Sequence, residues 1–198
     1  MRTMLLCAAL IAAPAFAAPR VGAPAPAFTA TSASGETVSL SDYRGKTVVL
    51  EWTNKGCPYV QKHYKSGNMQ ALQKDAAANG TVWLTVNSSS AGKQGYVDGA
   101  AAKAEMAEND TTQAAYLLDH DGKIGRAYGA SATPHMYVID GKGVLRYMGA
   151  IDDKPTAKLE DVKGATNYVS GALNAVAAGK APSPAATRAY GCSVKYGG

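Results

Sequence analysis

The segment 47–64 constrains the fold of this chain more than any other. Residues 47–52 read TVVLEW, a β-branched and apolar run that is typical of a central strand in a buried sheet. Shortly after it, Pro58 fits the first position of a helix, where no backbone N–H is needed. The pattern therefore predicts a buried strand that leads through a short loop into a helix, with Cys57 at the start of that helix.

This placement of Cys57 favours a reactive sulfur. The first turn of a helix carries unpaired backbone N–H groups and a positive potential, and both stabilise a thiolate. Lys55 adds a positive charge nearby in the sequence. The alternative is a buried and inert cysteine, because cysteine is among the residues most often found in protein cores. The strand–loop–helix context favours the reactive interpretation.

Strand and helix patterns alternate along the rest of the chain. Strands are predicted at 28–31, 37–40, 47–52, 81–87, 116–119, 135–140 and 144–148, and helices at 58–78, 96–109, 123–128 and 163–178. The first of these helices is predicted to break near Ser66, Gly67 and Asn68. This order predicts one α/β domain with a central mixed sheet, helices on both faces and an N-terminal β-hairpin.

Residues 1–17 have the pattern of a secretory signal peptide. Arg2 precedes the apolar run LLCAALIAA, and the small-x-small cleavage site AFA ends at position 17. A membrane anchor is disfavoured, because this apolar run is too short to span a bilayer; a buried strand is the other alternative. We therefore expect an exported protein, periplasmic or secreted, with no membrane anchor after cleavage.

Charge and cysteine content narrow the classes of function. The formal net charge is +5, and loss of residues 1–17 removes Arg2 and no acid, which leaves +4. The basic residues are scattered rather than clustered, so nucleic acid is not expected as a partner. Cys7 lies inside the predicted signal, which leaves Cys57 and Cys192 in the mature chain. An even number of cysteines in an oxidising compartment favours a disulfide.

The mature chain is divided into a domain at 18–180 and a flexible C-terminal tail at 181–198 that carries Cys192. The tail is rich in proline, alanine and glycine, and it is long enough to bring Cys192 back to Cys57. Three arrangements are open: a redox-active bridge between these cysteines, a permanent structural disulfide, or pairing between chains. A structural bridge across so long a loop stabilises a fold by about 4–5 kcal/mol in the chain-entropy model.

The segment VVLEWTNKGCPY, residues 48–59, resembles the active-site strand and turn of the thioredoxin superfamily. The resemblance extends from about residue 21 to residue 178 and is greatest to the redoxins, the peroxiredoxin-like group related to the AhpC/TSA proteins. It implies a thioredoxin-like fold and thiol–disulfide chemistry at Cys57, with no cofactor. The implied partners are a protein or small-molecule thiol or disulfide and an unidentified electron donor.

The resemblance also implies roles for other residues. Glu51 lies six residues before Cys57, where thioredoxins carry a buried acid that moves protons for the thiol; the alternative is an exposed carboxylate at the strand end. Thr133-Pro134 precedes the strand MYVID, where the fold places a cis-proline that faces the cysteine and docks the substrate backbone. Further substrate-binding residues are expected to be Trp52, Pro58 and His135.

Two departures from the family pattern concern Cys57 directly. Val60 stands where a C-x-x-C motif has its second cysteine, so Cys192 is the candidate resolving thiol. Peroxiredoxins have the pattern P-x-x-x-T-x-x-C, and here Leu50 and Asn54 replace the proline and the threonine. We therefore predict a thiol–disulfide oxidoreductase. The alternatives are a thiol peroxidase with altered geometry and a non-catalytic or metal-binding protein with a structural disulfide.

A metal site is a minor alternative. Cys57, His63 and His135 are conceivable ligands for copper or zinc, but one cysteine and scattered histidines do not make a ligand set. We predict no metal site, with His63 on a helix surface and His135 lining the active-site groove.

Overall fold

A mixed sheet lies at the centre of the computed structural model, which describes residues 18–198; the predicted signal peptide at 1–17 lies outside the described residues. The strands, in chain order, are β1 (Thr29–Ser32), β2 (Thr37–Ser39), β3 (Val48–Trp52), β4 (Val82–Asn87), β5 (Ala115–Leu118), β6 (Ala132–Thr133), β7 (His135–Ile139), β8 (Leu145–Gly149) and β9 (Cys192–Ser193). The central sheet has seven of these strands in the order β2-β1-β5-β4-β3-β7-β8, and β6 pairs separately with β9.

Helices cover both faces of this sheet. They are α1 (Pro58–Lys65), α2 (Asn68–Ala78), α3 (Gly99–Glu108), α4 (Lys123–Tyr128) and α5 (Tyr168–Ala177), with 3-10 turns at Leu40–Tyr43 and Leu159–Val162. Side chains of α1, α2 and α5 pack on one face of the sheet, and those of α4 pack on the other. The predicted α/β architecture, with an N-terminal hairpin of β1 and β2, is confirmed. Among the described residues, no helix is both long enough and apolar enough to cross a membrane.

Strand β3 sits in the middle of the sheet and sets the position of Cys57. It runs parallel to β4 and antiparallel to β7, with Trp52 opposite His135, and all five of its residues are buried. The loop after β3 and the start of β7 therefore meet at the same end of the sheet. This geometry brings Cys57 close to the Thr133–Pro134 segment.

Two helix boundaries have local explanations. The predicted break between α1 and α2 is confirmed. Its cause is Gly67, which adopts a left-handed conformation (φ +75°) that glycine tolerates without a steric penalty. The last helix was predicted from residue 163 but begins at Tyr168. The reason is a side-chain cap: Asn167 accepts a hydrogen bond from the Ser170 N–H at 2.9 Å, which defines the helix start.

The tail, predicted as loop, contains strand β9 and follows the edge of the domain. Its residue Ala186 bridges to Met148 of β8, and β9 pairs antiparallel with β6. Neither β6 nor β9 was predicted, because each has two residues and is defined by pairing across the fold rather than by a local pattern.

Candidate active site

Cys57 is fully buried at the residue that caps the N-terminus of α1. Its backbone N–H bonds the carbonyl of Asn54 at 2.9 Å, which closes the turn that leads from β3 into the helix. The Cys57 thiol donates to the carbonyl oxygen of Thr133 at 3.1 Å. The Thr133–Pro134 peptide bond is cis, as the resemblance predicted. The structure therefore brings together three of the predicted site residues, and Pro58 lies exposed beside them.

Cys192 completes this group from the far end of the chain. The β6–β9 register places Cys192 directly opposite Thr133, so that both side chains lie on the side of Cys57. The thiol of Cys192 packs against the cluster that contains Cys57 and lies close enough to shift the pKa of the Cys57 thiol. Both cysteines are free thiols in this structure. The tail thus brings the second thiol of the described residues next to Cys57.

The two thiols differ in acidity. Burial raises the pKa of Cys57. Hydrogen bonding by the Cys192 thiol, the Thr133 side chain and the backbone N–H groups of Cys192 and Val60 lowers it by more. The pKa of Cys57 therefore lies below the ordinary thiol value. Burial, followed by the hydrogen bond to Cys57 and the charge of Cys57, raises the pKa of Cys192 to about 11. Cys57 is therefore the thiol that ionises first.

Lys55 does not supply the charge that the sequence suggested. Its ammonium group forms an exposed ion pair with Glu108 instead. The lowered pKa of Cys57 arises from hydrogen-bond donors around the sulfur, with Lys55 absent from the groups that shift it.

Glu51 is fully buried on β3, which rules out the exposed strand-end carboxylate. Its carboxyl group accepts hydrogen bonds from the Tyr64 hydroxyl at 2.7 Å and the Trp83 indole N–H at 2.8 Å, with longer contacts from Thr85 and Gln73. Burial raises the pKa of Glu51, and these hydrogen bonds lower it by less. Within residues 18–198, no hydrogen bond joins Glu51 to Cys57 directly. A proton shuttle between them needs an intermediate carrier.

Trp52 packs in the core rather than beside the thiols. Its ring lies 5.1 Å from the Tyr137 ring and 5.5 Å from the Tyr128 ring, and its N–H donates to the Ser88 hydroxyl at 3.0 Å. Since Trp52 alternates with Glu51 along β3, it faces the opposite side of the sheet from the cluster that contains Cys57. The structure therefore places Trp52 opposite His135 in the β3–β7 pairing but away from Cys57.

His135 lies next to the cis-proline, at the start of β7. Its ring stacks on Tyr137 at 4.6 Å, and its Nδ1 accepts from the Ser131 N–H at 3.4 Å. Burial lowers the pKa of His135 to about 4, so the ring is neutral near pH 7. It lines a cleft of about 580 Å³ between the tail and β6 that Arg188 also lines.

The prediction that His63 lies on a helix surface is wrong. His63 is fully buried in a polar cluster with Lys62, Asp152 and Tyr190. Burial lowers its pKa to about 4, partly offset by the charge of Asp152. Across the described residues, no group of three or more His, Cys, Asp or Glu side chains is arranged to hold a metal ion.

Sequence reasoning did not identify Asp152 and Tyr190 as partners of α1. Tyr190 donates to the Asp152 carboxylate and lies 3.2 Å from Nε2 of His63. The available signal was the pair Lys62-His63 inside an otherwise amphipathic helix, where two basic residues on the buried side need a partner acid.

Comparisons with known proteins agree with this geometry. Residues 21–148 match the model of the AhpC/TSA family. The thioredoxin-like protein YneN of Bacillus subtilis is 32% identical over 127 residues, which cover 63% of this chain and 68% of that protein.

Solved structures with low sequence identity share the fold. A hypothetical protein from Sinorhizobium meliloti 1021 has a TM-score of 0.75 at 22% identity and covers 91% of this chain and 97% of its own. A putative thiol:disulfide interchange protein DsbE from Chlorobium tepidum has a TM-score of 0.54 at 24% identity, covering 66% and 85%. A secreted disulfide oxidoreductase of Mycobacterium tuberculosis has a TM-score of 0.51 at 23% identity, covering 69% and 92%. The fold is thioredoxin-like.

Proposed function

The chain belongs to the AhpC/TSA family, and on this basis we propose that it is an exported thiol–disulfide oxidoreductase of the redoxin type. Cys57 is the nucleophilic thiol and Cys192 is the resolving thiol. The observation that carries the proposal is the contact between a lowered-pKa thiol at a helix N-terminus and a second thiol held opposite the cis-proline segment.

The proposed reaction has two steps. The Cys57 thiolate attacks one sulfur of a substrate disulfide, forms a mixed disulfide and releases the other substrate sulfur as a thiolate, which takes up a proton. The Cys192 thiolate then attacks the Cys57 sulfur, forms the Cys57–Cys192 disulfide and releases the second substrate thiol. The substrate gains two electrons and the protein loses two. An external thiol donor returns the protein to its dithiol form.

The acidity of Cys192 changes during this sequence in the direction that the second step needs. In the free dithiol, the hydrogen bond to Cys57 and the charge on Cys57 both help to raise the pKa of Cys192. Once Cys57 is joined to substrate, its sulfur carries no charge, so both effects disappear. The pKa of Cys192 then falls towards its ordinary value, and the fraction of attacking thiolate rises. Glu51 is the proposed proton shuttle, through an intermediate carrier.

The proposed substrate-binding residues adjoin Cys57 or the cis peptide bond along the chain. Thr133–Pro134 offers its backbone to an extended substrate chain, while Pro58 and His135 flank it. Export rests on the predicted signal peptide at 1–17. It is further supported by the likeness in fold to the secreted disulfide oxidoreductase of Mycobacterium tuberculosis.

The peroxidase alternative lacks the threonine hydroxyl that peroxiredoxins place beside their reactive cysteine. Asn54 stands where peroxiredoxins have threonine, and its amide is held by Gln94 at 2.9 Å and by the Gly56 N–H at 2.9 Å. It is therefore engaged away from the Cys57 sulfur. This arrangement favours disulfide substrates over peroxide.

A comparison of two oxidants tests the proposal. The reduced protein is mixed with oxidised glutathione or with hydrogen peroxide at equal concentration, and loss of the Cys57 thiol is followed by mass after alkylation. We expect oxidation by the disulfide to be faster and to disappear in Cys57→Ser. Rapid oxidation by peroxide with a negligible rate for glutathione would instead identify a thiol peroxidase.

A further inference from the structure

The C-terminal tail occupies the strand edge to which the proposed function assigns the substrate backbone. Strand β9 pairs with β6 in an antiparallel register that places Cys192 opposite Thr133. Cys57 is fully buried at this contact, whereas Cys192 is partly exposed. A partner chain that pairs with β6 and reaches the Cys57 sulfur must therefore displace the tail.

A buried polar cluster anchors the tail just before Cys192. The Tyr190 hydroxyl donates to the Asp152 carboxylate and lies 3.2 Å from Nε2 of His63. Lys62 is fully buried with its ammonium group 3.5 Å from the other Asp152 oxygen, and that group lies 5.6 Å from the centre of the Tyr190 ring. A hydrogen bond to a charged group stabilises more than one between neutral groups. The cluster therefore fixes the tail to α1.

A second anchor lies after Cys192. The Tyr196 hydroxyl donates to the carbonyl of Ala130 at 2.7 Å, and the Arg126 guanidinium lies 4.8 Å from the centre of the Tyr196 ring. The backbone of Ser90 also donates to the carbonyl of Lys195 at 2.9 Å. The Cys192 segment is thus held on both sides, by contacts that do not involve the thiols.

Gly191 lets the tail approach β6 closely. Its φ is +129°, in the region that favours glycine, and a β-carbon at this position would lie 2.0 Å from the Thr133 carbonyl oxygen. Any other residue must push the tail away from β6. Gly191 is therefore required for the position of Cys192 opposite Thr133, which we call the closed position of the tail.

We propose that the tail is a built-in competitor of extended protein substrates, and that Tyr190 and Gly191 are the positioning residues that set its strength. A small disulfide needs only the Cys57 sulfur to be uncovered. An extended, disulfide-bonded protein segment needs the sulfur and the β6 edge together, so the closed tail discriminates against it. The proposal rests on the proposed function for the chemistry, but the covering of Cys57 is measurable without it.

The competition fits the order of bonds in the proposed reaction. With the tail displaced, Cys57 attacks the partner disulfide, and the partner strand takes the place of β9 beside Thr133. Return of the tail then brings the Cys192 thiolate to the Cys57 sulfur, where it forms the intramolecular disulfide and expels the partner thiolate. The same movement that completes the two-electron transfer therefore releases the partner chain.

The first test measures access to Cys57 in the full chain without any exchange reaction. Tyr190→Phe removes one anchor, Gly191→Ala blocks close approach to β6, and Gly179→Ala is a control in which the β-carbon enters open space at a positive φ of +70°. Labelling of Cys57 by iodoacetamide is followed by peptide mass. The labelling rates are compared at high pH, where Cys57 is fully ionised and the rate no longer depends on its pKa. We expect the rate to rise about tenfold or more in Tyr190→Phe, the factor for a hydrogen bond to a charged group, and at least as much in Gly191→Ala. Unchanged rates in both would overturn the proposal.

The second test measures discrimination in the same proteins. For each reduced variant, the rate of oxidation by insulin is divided by the rate of oxidation by oxidised glutathione. Because both rates depend on the same Cys57 thiolate, the effect of the Cys57 pKa cancels in this ratio. The ratio is expected to rise above the wild-type value in the two tail variants, because insulin gains from the free β6 edge as well as from the uncovered sulfur, and to stay at the wild-type value in Gly179→Ala. Faster labelling with an unchanged ratio would contradict the specificity role of the tail. If neither disulfide oxidises the wild-type protein while labelling responds as expected, the proposed function fails and the covering of Cys57 stands.

Discussion

Cys192→Ser is expected to stop turnover while leaving the first step of the reaction intact. Cys57 still attacks oxidised glutathione, but residues 18–198 then hold no second thiol to expel the bound glutathione, so the mixed disulfide accumulates to about one per protein molecule. Cys57→Ser removes the nucleophile, and we expect it to lower the exchange rate at least about a thousandfold. Intact-protein mass after a glutathione pulse separates the two variants.

The Cys192→Ser protein also carries an internal control. Its Cys57 loses the contribution of the Cys192 thiol that lowers the pKa of Cys57 in the wild type, so the pKa of Cys57 should rise. If Cys192→Ser turns over at the wild-type rate, Cys192 is not the resolving thiol. A glutathione adduct on Cys192 in the Cys57→Ser protein, at the rate of the wild type, would reverse the assigned roles.

Removal of the Glu51 carboxyl group is expected to cost about 3–5 kcal/mol of unfolding free energy. In Glu51→Leu, the Tyr64 hydroxyl and the Trp83 N–H stay buried without an acceptor, and each such donor costs about 1–3 kcal/mol. Glu51→Gln keeps an acceptor oxygen of the same shape and should cost much less. Urea denaturation of the three proteins measures the differences. Equal stability of Glu51→Leu and wild type would contradict this account.

The same carboxyl group predicts a pH dependence of stability. Burial raises the pKa of Glu51 in the folded state, whereas the unfolded chain has a value of about 4.3. Between these values the folded state binds more protons, so the stability of wild type relative to Glu51→Gln falls as the pH rises through that window and is constant above it. Taking the difference from Glu51→Gln removes the contribution of other buried acids such as Glu105, whose pKa burial raises to about 7.

The local part of the site could be predicted from the sequence. The β-branched run, the proline at the helix start and the spacing of Glu51 are all expressed within a dozen residues around Cys57. The same holds for Thr133-Pro134, whose place before a strand matches the family pattern. These features depend on backbone propensities and on the order of elements, which a single sequence carries.

The remaining part depends on contacts between distant segments. Whether His63 faces solvent is decided by Asp152 and Tyr190, which lie far along the chain, and the helix pattern alone placed it on the wrong side. The pairing of β9 with β6 is likewise absent from any local pattern, because two residues cannot show a strand period. Trp52 has the expected position in the sequence, but the alternation of β3 turns its side chain into the opposite core.

The most direct test of the central claim is the reduction potential of the Cys57–Cys192 pair. The purified protein, residues 18–198, is equilibrated in glutathione buffers of graded ratio, and free thiols are counted by mass after alkylation. We expect a disulfide that opens between about −120 and −270 mV, the range of proteins that exchange disulfides. A bridge that remains closed below about −300 mV would mark a structural disulfide and contradict the assignment of Cys192 as a resolving thiol.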